Sequence, residues 1–197
     1  LPTLVPAFDT TPAAVKFSLT IYFLVFCLAQ LLCGPLSDAY GRRPVALCFF
    51  LVYFSGSIVD LFAPTIEILQ IGRALQGIGA AAGVATSRAL VRDLFVGQTS
   101  ARIMNRIGLF VGLVPALSPA IGGLLLTVTH WRSIFLLMFA YAIVVVAMVW
   151  IFLPETNSAR DRAHAHPFRI AGNYASLLRD RRFIAPATLM AFVLGGV

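Results

Sequence analysis

An all-α membrane protein, with helices threaded through a bilayer, is the fold class this sequence predicts, and three observations carry the prediction. Hydrophobic residues make up 59% of the 197 and charged residues only 12%, about half the roughly 25% charged of a soluble domain. Five apolar runs reach the roughly 20 residues that a helix needs to cross a hydrocarbon core: Ala13 to Cys33, Val45 to Ala63, Ile66 to Ser87, Ile107 to Val128 and Ser133 to Leu153, with a sixth opening near Phe183. The basic residues then alternate. Arg42 and Arg43 lie in the first connection, Arg88, Arg92, Arg102 and Arg106 around the third, and Arg160, Arg162, Arg169, Arg179, Arg181 and Arg182 in the fifth, whereas the others hold only Lys16 and Arg132. Positive charge collects on the cytoplasmic side of membrane proteins, so the odd connections are expected to be cytoplasmic and residue 1 to be outside.

Each element has its own punctuation. Pro12 stands in the first turn of the first span, where a missing N–H costs nothing, and Pro44 does the same for the second. Ala63-Pro64-Thr65 forms a tight outer turn with Thr65 as N-cap of the third span. Thr127 to Trp131 forms the next outer turn, with Trp131 at interfacial depth. From Pro154 the chain turns polar and basic, which divides it into a transmembrane bundle (1–153), a cytoplasmic linker (154–182) and the start of a further span (183–197). Within the linker, Tyr174, Leu177, Leu178 and Arg181 share one helical face, as in a short helix lying on the membrane surface. A chain that opens at Leu1-Pro2-Thr3-Leu4 and closes inside an apolar run is expected to be a piece of a longer protein.

Several function classes fall away. The net charge of +7 suggests nucleic acid only until its distribution is seen: the positives sit in connections, with no basic face bearing stacking aromatics. Cys27, Cys33 and Cys48 lie inside or at the edge of spans without CxxC spacing, and His130, His164 and His166 have no companion ligands, so neither a metal nor another cofactor is expected. An intramembrane enzyme needs a catalytic pair within a span. Asp60 and Glu67 lie near the outer edge without a His or Ser partner at suitable spacing, so the chain is not read as an enzyme. Gly77-Ile78-Gly79-Ala80-Ala81-Ala82 fits a dinucleotide fingerprint, but that motif needs a preceding strand in a soluble unit. Here it sits midway along a spanning run, where small residues let a neighbouring backbone approach.

Three stretches ask for a function. CGPLSDAYGRRP, Cys33 to Pro44, concentrates charge between two apolar runs: Gly34 lets the first span end against a neighbour, Asp38 caps the turn, Gly41 permits a sharp reversal, and Arg42 and Arg43 supply the inside positives. Arg73 lies about two turns into the third span, roughly 12 Å from Thr65, where a charge costs about 2.5 to 3.5 kcal/mol. It must face protein or water, with Gln76, Gly77 and Ala80 on the same face. Gly108, Gly112, Pro115, Pro119, Gly122 and Gly123 crowd the fourth run, the two prolines kinking one region.

The order G-P-L-S-D-x-x-G-R-R-P resembles the signature between the second and third helices of the major facilitator superfamily. That resemblance implies that Asp38 and Arg42, with Gly34, Gly41 and Arg43, form a conformational latch between the two halves of a transporter. Leu69-x-x-x-Arg73-x-x-Gln76-Gly77-x-Gly79-Ala80-Ala81 resembles the superfamily's fourth-helix motif, which implies a proton-coupling and cavity role for Arg73, Gln76 and Gly77. Ala116 to Gly123 resembles the fifth-helix antiporter motif, with Ser118 where a glycine is usual; Trp131-Arg132-x-x-Phe135 and Pro154-Glu155-Thr156 complete the match. The sum is similar to the twelve-span drug:proton antiporters of the Bcr/CflA multidrug exporter group. It implies an N-terminal half with five complete transmembrane helices plus fragments of the first and seventh. It further implies alternating access in a bacterial inner membrane, with a small amphipathic drug, protons, the lipid bilayer and the C-terminal half of the same chain as partners. The proton-carrying acid is then expected upstream of Leu1. A superfamily importer of a sugar or small metabolite is the competing reading, against which the Gly and Pro pattern of Gly108 to Gly123 argues.

Overall fold

The computed structural model describes residues 3–157, 167–177, 179–180 and 183–189, and among these every regular element is a helix. They are α1 (Leu4–Ala7), α2 (Pro12–Tyr40), α3 (Arg42–Leu61), α4 (Ile66–Leu94), α5 (Gly97–Val128), α6 (Arg132–Phe152) and α7 (Pro167–Leu177); residues 183–189 are helical again. Pro12 is the first residue of α2, and the hydroxyl of Thr11 before it accepts a hydrogen bond from the Ala14 N–H at 3.3 Å. Thr65 precedes α4 in an extended conformation without a side-chain cap.

α4 is the hub. α2 and α3 pack along it most extensively, α6 packs on α3, and α5 touches α4 and α6 only lightly. Small residues allow this. A Cβ at Gly77 would sit 2.5 Å from the Tyr22 carbonyl oxygen of α2, and one at Gly56 of α3 would sit 2.7 Å from the Gly72 carbonyl oxygen of α4. Without a hydrophobic drive between helices in lipid, such close backbone approach is the chief source of packing energy. α2, α3, α5 and α6 are long and apolar enough to cross a membrane by length and composition. α4 matches α2 in length at 29 residues but carries Glu67, Arg73, Arg88, Arg92 and Asp93. Of these, only Arg73 is drawn into the bundle, against Asp60 of α3 and Phe135 of α6; Glu67, Arg88, Arg92 and Asp93 are exposed toward the two ends of the helix.

The helices overrun the apolar runs. The first was expected to end at Cys33, yet α2 continues to Tyr40, so Asp38 stands in its last helical turn instead of capping a loop. Among the described residues nothing lies within 4 Å of where a Cβ on Gly34 would be, so the neighbour expected against it is not one of the described helices. Pro35 lies inside α2. Its missing N–H frees the carbonyl four residues back, and that Leu31 oxygen accepts a bond from the Tyr174 hydroxyl of α7 at 2.7 Å. α5 likewise begins at Gly97 rather than Ile107, because a polar but helix-forming stretch continues the helix beyond the hydrocarbon. The surface helix was expected over Tyr174 to Arg181. It runs instead from Pro167 to Leu177, with proline in the first turn that suits it, and Leu178 and Arg181 fall outside the described residues.

Candidate functional site

The stretch from Ser37 to Arg43 becomes a hinge of one residue between two helices. Gly41 has φ 106° and ψ 152°, a region open essentially to glycine alone, and it delivers Arg42 as the first residue of α3. Arg42 then gathers three elements. Its guanidinium pairs with Asp38 of α2 at 2.5 Å and Asp93 of α4 at 3.1 Å, and donates to the Ser37 hydroxyl at 2.7 Å. Glycine offers no side-chain cap, so the orphan N–H groups opening α3 need an acceptor from elsewhere. Glu155, just beyond α6, accepts from the Arg42 backbone N–H at 2.9 Å, placing a carboxylate at the positive end of the helix dipole. Asn157 serves the other side of the turn, its amide donating to the Asp38 carbonyl at 2.7 Å in the last turn of α2. Thr156 donates to Asp93 at 3.1 Å. The segment Glu155-Thr156-Asn157 thus closes both helix ends and the acid of a third helix. Arg43 points away from this cluster and donates to the Trp150 carbonyl in the last turn of α6 at 2.6 Å, its guanidinium lying 6.0 Å from the centre of that residue's ring.

A second polar group lies near the opposite end, inside the bundle. The Arg73 Nε is 3.5 Å from an Asp60 carboxylate oxygen, and Asp60 has 0% side-chain exposure. Arg73 also donates to the Gln76 oxygen at 3.0 Å and lies 4.9 Å above the Phe135 ring, while the Gln76 amide donates to the Ser57 hydroxyl at 3.1 Å. Antiparallel geometry makes the pair. Side chains lean toward the N-terminus of their own helix, so Asp60, near the end of α3, and Arg73, a turn or two into α4, lean toward each other along the axis. Below them a cavity of about 220 Å³ opens between α2, α3, α4 and α6, lined by the phenols of Tyr22, Tyr53 and Tyr141.

A family model described as Major Facilitator Superfamily matches residues 1–197. The chain belongs to the Major Facilitator Superfamily. Among its relatives within the superfamily, an uncharacterized MFS-type transporter of Bacillus subtilis is 33% identical over 191 residues, 95% of this chain and 47% of the relative. A bicyclomycin resistance protein homolog of Haemophilus influenzae is 30% identical over 96% of this chain and 48% of its own length. A chloramphenicol resistance protein of Pseudomonas aeruginosa is 36% identical over 78% of this chain and 37% of its own. The chain therefore spans less than half the length of these curated relatives.

Of the residues that the superfamily motifs single out, the fold brings some together and separates others. Asp38 and Arg42 meet; Arg73 and Gln76 meet. Gly77 faces α2, on a different side of α4 from Gln76, and serves the contact between helices rather than a polar cavity. Gly108, Gly112, Gly122 and Gly123 of α5 meet no neighbour among the described residues, and α5 runs through Pro115 and Pro119 as one helix with no buried residue. Sequence reasoning missed Asp93 and Asn157, and it set Asp60 aside as a carboxylate at the outer edge. The available signal was depth: an acid near the end of one run and a base early in the next, antiparallel run face each other across the turn.

Proposed function

We propose that this chain is the N-terminal half of a proton-coupled multidrug efflux transporter working by alternating access, with two halves rocking about a central site. Glu155, Thr156 and Asn157 would anchor the linker to the latch of Asp38, Arg42 and Asp93, so that movement of the other half is felt at the junction of α2, α3 and α4. The observation carrying this reading is the Arg42 cluster. It draws charged groups from three helices and the linker into one contact at an exposed end of the bundle, where Asp38 is 48% exposed and the contact can open at modest cost. The resistance proteins among the relatives support drugs as the substrate class. The fifth-helix motif of Gly108, Gly112, Pro115, Pro119, Gly122 and Gly123 would belong to the surface that slides against the other half, in keeping with the open space at its four glycines among the described residues. The arginine-rich end is read as cytoplasmic on the positive-inside pattern, and the membrane as the bacterial inner membrane.

The test is efflux of a fluorescent amphipathic drug from cells expressing the full-length chain, with and without an imposed pH gradient. Gradient-dependent efflux that falls in Asp38→Asn at equal membrane levels is expected. Efflux indifferent to the gradient, or uptake of a sugar in its place, would overturn the reading.

A further inference from the structure

Asp60 is the most deeply buried acid in the described chain, and its surroundings are built around it. Its side chain has no exposure, and neither carboxylate oxygen receives a hydrogen bond. A Cβ on Gly72 would overlap the Asp60 carboxyl itself, so α4 carries glycine where the acid tucks in. Among the described residues its one ionic partner is Arg73, through Nε at 3.5 Å. A pair made for stability would be the two-pronged arginine–carboxylate fork, with shorter bonds. Here the fork is turned elsewhere: an Arg73 Nη group binds the Gln76 oxygen, and the guanidinium rests over Phe135. Arg73 therefore keeps two supports when Asp60 is neutral, and Asp60 keeps none when Arg73 moves away. A buried carboxylate without partners is costly and is relieved by taking up a proton.

We propose that the Asp60 carboxyl is a proton-binding site, ionised when Arg73 is drawn against it and protonated when they part. Protonation adds one proton from water to a carboxylate oxygen, giving a neutral carboxyl; the ion pair is lost, and the guanidinium keeps its charge on Gln76 and Phe135. Release returns that proton to water and restores the pair. The ligand is a proton rather than a metal cation. Asp60 offers only its own two oxygens, the Ser57 hydroxyl is engaged by Gln76, and an adjacent guanidinium repels a metal ion. The groups within electrostatic reach of Asp60 are Arg73 from α4 and Tyr53 from α3, and beyond them Tyr22 of α2 lies within reach of Arg73 and Tyr53, and Tyr141 of α6 within reach of Tyr53 and Tyr22. Glu67 is exposed on the first turn of α4, and Arg132 is held 4.7 Å over Trp131. What the proton drives rests on the efflux reading above; where it binds does not.

The experiment uses the purified full-length chain in lipid, followed by infrared difference spectra between acidic and alkaline buffer. A carboxylic-acid carbonyl band that appears on acidification should be lost in Asp60→Asn and kept in Asp38→Asn. A spectrum unchanged by Asp60→Asn would overturn the inference, whatever the protein transports. Should Asp60→Asn fail to fold, Gly72→Ala carries the test: displacing the carboxyl should shift the pH midpoint of the band, and an unmoved midpoint would overturn the assignment. Drug efflux is scored separately. A wild-type chain that shows the band but exports nothing defeats the efflux reading alone, and one that exports while the band survives Asp60→Asn defeats this inference alone.

Discussion

At the scale of single residues, two positions divide the work between backbone and charge. Gly41 holds a conformation that costs any other residue about 1–3 kcal/mol, and it lies between Asp38 and Arg42. Gly41→Ala is expected to lower the thermal midpoint of the full-length protein in detergent and to weaken the Asp38–Arg42 contact, whereas Gly34→Ala, facing open space, should leave the midpoint in place. Equal effects of the two would show that backbone geometry at the hinge does not matter. Arg73 was legible in the sequence because a basic residue two turns inside a span demands a partner; the partner was not legible. Arg73→Ala is expected to abolish gradient-driven efflux. Arg73→Lys should recover part of it, since lysine keeps the charge but lacks the planar fork that reaches Asp60 and Gln76 together. Wild-type efflux in Arg73→Ala would reduce the residue to a packing role.

At the scale of elements, the junction of α2 and α3 is stabilised by a segment more than a hundred residues away in sequence. Glu155 and Asn157 act as caps supplied from outside the helices they close. Glu155→Ala should cost about 0.5–2 kcal/mol, the usual range for a lost cap. Glu155→Gln, which keeps an acceptor and loses the charge, should cost only about 0.3–1 kcal/mol, the worth of the dipole interaction. Chemical denaturation of the two variants in parallel checks this order; a reversed order would mean that the carboxylate serves the linker instead. The existence of each long helix could be read from apolar runs and prolines, but the ends could not. Hydropathy stops at the edge of the hydrocarbon, and helix hydrogen bonding continues past it, as α2 does to Tyr40 and α5 from Gly97.

At the scale of the whole molecule, the alternation of basic connections predicts which end faces the cytoplasm. In intact cells, a cysteine at Thr129 should react with an impermeant thiol reagent and one at Gln98 should not, both positions being exposed; the reverse labelling would invert the orientation. By itself the sequence determined the class of protein, the number of long helices and the charge signature at Asp38 and Arg42, because these rest on composition, length and spacing along one chain. Tertiary structure alone decided that α4 stands at the centre, that Gly77 faces α2 while Gly72 makes room for Asp60, and that Glu155 and Asn157 close a turn formed near residue 41. The reason is physical. Hydropathy reports a segment's preference for lipid over water, whereas the partner of a buried charge or an orphan backbone group is fixed by which helices lie side by side and at what depth, and neither is written in any single run of residues.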